Sequence, residues 1–252
     1  MNVLENYRRL IAANELRADT DQAAAAERLS ILQQELEAAP PRGSTLWKLL
    51  RKPPEPPRGL YLWGGVGRGK SFLMDCFFAA VPYQRKRRVH FHAFMREVHD
   101  SLRRHRNEPD PLAKVAARIS RETRLMCFDE FHVSDIADAM MLGRLMQALF
   151  DAGVLFCITS NYPPQGLYPN GLQRELFLPT IDLLNRTLDV IEIDAGIDYR
   201  LRALEQAEVY LVADTATATA EITRTFNSIA GGGGHTRPVS VLGRELPVLH
   251  RA

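Results

Sequence analysis

Cysteine is scarce: Cys76, Cys127 and Cys157 are the only three in 252 residues. They lie far apart in apolar company, with no CxxC or CxxxH spacing. That pattern excludes a disulfide framework and a thiolate zinc site, and reads as buried thiols of a reducing compartment. Long apolar runs are missing too. No stretch approaches the roughly 18 residues that a membrane span requires. The opening MNVLENYRRLIAANELRADTDQ lacks a signal-peptide core and carries too many acids for a transit peptide, so a cytosolic location is expected. Nor is there an excess of either charge, with 32 Lys+Arg against 30 Asp+Glu and a net +2. Such a balance neither demands nor excludes nucleic acid, whose binding would need a local basic patch. The densest basic runs, QRKRRVH (84–90) and LRRHR (102–106), are read as a solvated loop and a helix face.

What is present is core-forming residues in an alternating pattern. A hydrophobic content of 46% supports one α/β domain with appendages or two small domains. Residues 1–38 read as two helices, the second opened by Asp19 as N-cap with Gln22 as its capping-box partner. The Pro-rich stretch 39–58 is read as irregular linker. Strands are predicted at LYLW (60–63), RVHFHAF (88–94), LMCFDEF (125–131), VLFCITS (154–160) and LDVIEI (188–193). Helices are predicted between them, including FMREVHDSLRRHR (94–106) and LQRELFLPTIDLLNR (172–186). Unalternating strands separated by helices argue a parallel five-stranded sheet flanked by helices over 59–197. The remainder, 198–252, reads as two helices, a GGGG break and a hairpin turning near Leu242 and Gly243.

Gly64, Gly65, Val66, Gly67, Arg68, Gly69, Lys70 and Ser71 fit G-x-x-x-x-G-K-[ST] between an apolar strand and a helical segment. Glycines let successive backbone N–H groups point at one phosphate, and the following helix presents its positive end to the same anion. Lys70 adds a full charge near the β- and γ-phosphates, and Ser71 offers a hydroxyl to Mg²⁺. A second element is the pair Asp129-Glu130 closing an apolar strand. Two acids there are costly unless they leave the core at the carboxyl edge of the sheet, where ligands bind in open α/β folds. Asp129 is placed to hold Mg²⁺ through water and Glu130 to deprotonate an attacking water, which favours hydrolysis over kinase chemistry. Asn161, after VLFCITS, serves either as a hydrogen-bonding sensor of the attacking water or γ-phosphate or as a turn residue. Arg174 is either a surface arginine or one that reaches a neighbouring subunit's nucleotide. His90 and His92, two apart on a predicted strand, read as packing residues rather than a metal pair.

Taken together, RGLYLWGGVGRGKSFLMDCFF, RVHFHAFM, FDEFHVSDIADAMML, TSNYPPQGLYPNGLQRELFLPTIDLL and DYRLR resemble the ZapE family of AAA+ ATPases, which has bacterial cell-division and mitochondrial members. The resemblance implies an ATP-binding P-loop core, Mg²⁺, and a homo-oligomeric ring with shared sites. It makes Gly64 to Ser71 the Walker A loop, Asp129 and Glu130 the Walker B pair, Asn161 the first sensor and Arg174 the trans-acting finger. It brings the segment around Asp19 and Gln22 near the adenine. It also implies a protein partner, the FtsZ polymer at the inner face of the membrane, where peripheral association has room. The alternatives are a helicase-loader-like protein that binds nucleic acid through the basic runs and a nucleotide-gated scaffold with negligible turnover. The family continues past GREL.V, so a chain ending at HRA leaves a full lid and a second sensor arginine unassigned.

Overall fold

The computed structural model describes residues 2–13, 18–38 and 57–194, single residues 220 and 224, and the strands at 239–241 and 244–246. The chain divides into two compact units, Met1–Ile197 and Asp198–Ala252. In the first, β1 Gly59–Trp63, β2 Lys86–His90, β3 Leu125–Asp129, β4 Leu155–Ser160 and β5 Leu188–Glu192 form one sheet. Its order is β2-β3-β4-β1-β5 and every pairing is parallel. The helices are α1 Val3–Ala12, α2 Thr20–Ala38, α3 Lys70–Ala80, α4 Phe91–Arg104, α5 Pro111–Glu122, α6 Ile136–Asp151 and α7 Leu178–Thr187. Among the described residues no helix is long and apolar enough to cross a membrane.

Side chains alternate across a strand, so each central strand feeds two apolar layers. Leu60, Leu62, Leu125, Cys127 and Cys157 point to the layer that holds Leu73, Met74 and Phe77 of α3. Val3 and Tyr7 of α1 and Ala25, Leu29 and Leu32 of α2 are buried in that same layer. Tyr61, Met126, Phe128, Phe156 and Ile158 point to the other layer, against α4, α5, α6 and α7. Phe128 packs on Phe94 and Phe156 there, with ring centroids 4.7 and 5.6 Å apart. Cys127 and Cys157 are register partners across β3 and β4, and burial pushes the Cys127 thiol well above its ordinary pKa. Cys76, expected to be buried, is only half-buried, and Asn6 donates to its Sγ at 3.2 Å.

Two predicted elements move. The strand expected at 88–94 ends at His90, and α4 starts at Phe91. Phe91, Phe94, Met95 and Val98 repeat at i, i+3, i+4 and i+7 and are all buried. That helical spacing outweighs the local apolar run. His92 is therefore helical and does not pair with His90 along a strand. The helix expected over 172–186 breaks: Arg174–Leu176 is a 3-10 turn, and α7 begins at Leu178. Gln173 is left-handed at φ 57°. Pro179 has no N–H to continue a helix from upstream, but suits the first turn of a new one.

The basic run at 84–88 is no solvated loop. Lys86, Arg87 and Arg88 lie in the edge strand β2. Lys86 donates to the Phe78 and Val81 carbonyls at 2.5 and 2.7 Å, and Arg85 to that of Ser120 at 2.7 Å. In the second unit, β6 Val239–Val241 and β7 Arg244–Leu246 pair antiparallel with Val241 opposite Arg244. The helices expected at 198–231 lie outside the described residues apart from positions 220 and 224.

Arg87 of β2 and Arg118 of α5 converge on Glu97 of α4, at 3.2 and 3.4 Å. The hydrogen bond from Arg87, then that from Arg118, holds the Glu97 carboxyl below its ordinary range. A lowered carboxyl pKa contributes stability above the unfolded value, about 4.3, and loses it as pH falls through the folded value. Glu97→Gln is expected to destabilise the protein at neutral pH by at most about 1 kcal/mol, since the cluster is partly exposed. Urea unfolding in acid, below the carboxylate range, should show the two proteins equal.

Candidate nucleotide-binding site

Beyond Trp63 the chain leaves the sheet through Gly64, whose φ is +148°. A Cβ there would lie 2.1 Å from the Ile193 carbonyl oxygen, so only glycine fits. Gly67 and Gly69 are left-handed at φ 78° and 81°. Gly69 caps α3 without a side-chain hydrogen bond, so the first N–H groups of the helix face the loop unshielded. Lys70 is buried to 8% exposure, and its Nζ lies inside the loop. It donates to the carbonyls of Gly64 and Gly65 at 2.8 and 2.6 Å and to Asn161 Oδ1 at 3.2 Å. Ser71, next on α3, is exposed, as are Gly65 and Val66. The Arg68 side chain approaches Gly65, and its guanidinium lies 3.5 Å from Asp194.

The ends of the neighbouring strands lie beside this loop. β4 lies between β1 and β3, so the Walker-type loop and the acid pair stand two strand spacings apart, roughly 10 Å. Asp129 is 6% exposed. Its Oδ2 accepts from Arg88 Nε at 2.6 Å and its Oδ1 from the Thr159 hydroxyl at 3.3 Å. Arg88 also pairs with Asp75 of α3, so one guanidinium ties the helix after the loop to the acid strand. Ser160 donates to the Phe131 carbonyl at 2.7 Å and Phe131 N–H to the Thr159 carbonyl at 2.8 Å, which fastens the end of β3 to that of β4. Between these fixed points Glu130 sits left-handed at φ 53° with its side chain 77% exposed. His90 Nδ1 is 3.9 Å from its Oε2.

The structure thus brings Gly64 to Ser71, Asn161, Asp129 and Glu130 to adjacent strand ends. It leaves Arg174 elsewhere: that side chain donates to the Gln165 carbonyl at 2.8 Å, beside exposed Leu172 and Leu176. Sequence reasoning missed Arg88, which it grouped with a solvated run, and the hydroxyl of Thr159. Their signal is the β2–β3–β4 pairing, in which His90 faces Asp129 and Cys127 faces Cys157, and pairing is not written in any one segment. The hydroxyl of Ser71 and the carboxylate of Asp129 are hard oxygen donors of the kind Mg²⁺ takes, and the glycine cradle that a Cβ would fill suits phosphate.

A parallel sheet of this order, with a glycine loop feeding a helix and an acid pair across β4, defines a P-loop AAA+ core. The chain belongs to the AFG1-like ATPase family, whose model matches residues 1–251. It is 46% identical over 231 residues, 87% of its length, to cell division protein ZapE of Escherichia coli K12. It is 41% identical over 208 residues, 77% of its length, to Lactation elevated protein 1 homolog B of Danio rerio. It spans 62% and 41% of those two relatives. Among solved structures, it is similar to DnaI at TM-score 0.50 and 18% identity, over 71% of this chain and 87% of that one. A DNA replication initiation factor matches at TM-score 0.51 and 13% identity, over 86% and 64%. These two likenesses concern the fold.

A charged residue held left-handed with its side chain in solvent is a strained backbone, costing about 1 kcal/mol. Asn tolerates that conformation better. Glu130→Asn is expected to leave stability unchanged or raise it by a few tenths of a kcal/mol, which denaturant unfolding would measure. A loss above about 1 kcal/mol would show that the side chain supports the fold.

Proposed function

We propose that this chain is a Mg²⁺-dependent ATPase of the cell-division type that couples turnover to remodelling a protein partner. The observation that carries the reading is the contact of Lys70 Nζ with Asn161 Oδ1 beside the Thr159–Asp129 hydrogen bond. Through it the start of α3 and the ends of β4 and β3 bring one cation, one amide and two carboxylates to the same edge of the sheet. A triphosphate lying in the loop draws Lys70 from the Gly64 and Gly65 carbonyls, and the N–H groups at the start of α3 bind the same anion. Ser71 and Asp129 would hold Mg²⁺, which when bound neutralises charge on the β- and γ-phosphates. Glu130, projecting into solvent from its fixed backbone, takes the proton of an attacking water, and Asn161 orients that water or the γ-phosphate. Arg174 acts on the site of a neighbouring copy, in a ring that exposed Leu172, Leu176 and Leu178 would help bury.

The relative's name, cell division protein, supports a partner in the division machinery, and the family resemblance makes FtsZ the first candidate. A cytoplasmic setting, at the inner face of the membrane, belongs to the same reading. Nucleic-acid binding through the 84–88 run is disfavoured, because Arg85, Lys86, Arg87 and Arg88 are engaged within the chain. A scaffold with negligible turnover is disfavoured by the strained placement of Glu130.

Lys70→Ala is expected to abolish binding of Mg²⁺-ATP. Glu130→Gln is expected to keep binding while multiple-turnover phosphate release falls at least about a hundredfold, the usual contribution of a positioned base. Full turnover in the Glu130 variant would remove the proposed base.

A further inference from the structure

Asp19 caps α2, its Oδ1 accepting the N–H groups of Asp21 and Gln22 at 2.9 and 3.0 Å. The reciprocal half of the expected capping box is absent. The Asp19 N–H pairs with the Tyr7 hydroxyl at 3.3 Å instead. The Gln22 side chain turns away from its own helix and donates through Nε2 to the Arg68 carbonyl at 3.1 Å, in the glycine loop. Gln22 is fully buried, and a Cβ on Gly69 would stand 3.0 Å from that Nε2. Its Oε1 is also buried and has no hydrogen-bond partner among the described residues.

Peptide planarity gives this contact a consequence. Across a trans peptide the carbonyl of one residue and the N–H of the next point in opposite directions. Holding the Arg68 carbonyl toward α2 aims the Gly69 N–H the other way, into the loop. The loop's anion-binding power depends on that orientation. The unpaired Oε1 sharpens the point. A buried acceptor left unmade weakens the fold, so an apolar side chain of equal size would serve α2 better if Gln22 served stability alone.

The geometry points to Gln22 as a positioning residue of the nucleotide-binding loop, acting on the phosphates of a nucleoside triphosphate through the Arg68–Gly69 peptide. This rests on the nucleotide-binding reading above. Neighbouring contacts reinforce the link: Asp21 Oδ2 accepts the Asp194 N–H at 3.2 Å, and Asp194 faces Arg68. The start of α2 thereby holds the loop by its main chain and, through Asp194, by the Arg68 side chain.

The test is Gln22→Met in the full chain, with Leu29→Ala as control: Leu29 is equally buried on α2 but lies in the apolar layer. Titration calorimetry with Mg²⁺ and a non-hydrolysed ATP analogue, and with ADP, reads binding. Nucleotide-free thermal unfolding reads stability, and steady-state kinetics read KM against kcat. For Gln22→Met, affinity for both nucleotides should fall about five- to tenfold, the effect of one hydrogen bond. KM should rise in step with kcat little changed, and the melting temperature should fall less than in Leu29→Ala, since one part-buried hydrogen bond is lost and no cavity is opened. For Leu29→Ala, the melting temperature should fall and affinity stay at the parent value. Parent-like affinity in Gln22→Met, with or without a loss of stability, overturns the inference. If Lys70→Ala abolishes binding while Gln22→Met does not weaken it, this inference alone fails. If the parent chain binds no nucleotide, both readings fail.

Discussion

A peptide group has two polar ends, and a loop that turns one inward must find a partner for the other. The region after β1 meets this constraint at four carbonyls. Trp63 O receives the N–H of Ile193, Gly64 O and Gly65 O receive Lys70, and Arg68 O receives Gln22. Glycine at position 64 is required because the Ile193 carbonyl occupies the space a Cβ would take. The donors come from the residue after β5, from α3 and from α2, so the loop is assembled by segments far apart in sequence. The N-terminal helices are thus structural partners of the site, burying Leu29 and Leu32 in the layer that also supports α3.

The acid strand is held by similar means. Arg88 supplies the countercharge of a carboxylate that is nearly buried, and a buried charge without one weakens the fold. Thr159 contacts Asp129, the Phe128 carbonyl and the Glu130 N–H, so one hydroxyl on β4 sets the exit of β3. The left-handed backbone at Glu130 is the cost of that exit, and it turns an acid out of the apolar layers into solvent.

Much of this was legible in the sequence, because glycine, lysine and paired acids are rare at strand ends without a reason. The sheet, its parallel sense and the positions of β1, β3, β4 and β5 follow from apolar runs and the helices between them, although β3 stops at Asp129 and not at the expected Phe131. The passages that misled had competing signals. RVHFHAF carries the β-favouring run of a strand and the i, i+3, i+4 spacing of a helix, and burial of Phe91 and Phe94 settled it at His90. The QRKRR run looked solvated because nothing in a linear reading supplies the carbonyls of Phe78 and Val81 or the carboxylate of Glu97. Gln22 satisfied the pattern of a capping box, and only the folded chain shows its amide spent on a residue 46 positions away.

The two margins of the sheet carry a consequence for how copies of the chain meet. β2 is laced with Lys86, Arg87 and Arg88, and β5 carries Asp189 gripped by Arg28 and Arg58 at 2.8 and 2.7 Å. An incoming strand would have to strip these ions of their partners before it could hydrogen-bond to either border. Growth by strand addition is thereby suppressed at both borders, and crowded molecules are steered from fibrous stacking toward contacts through helices and loops.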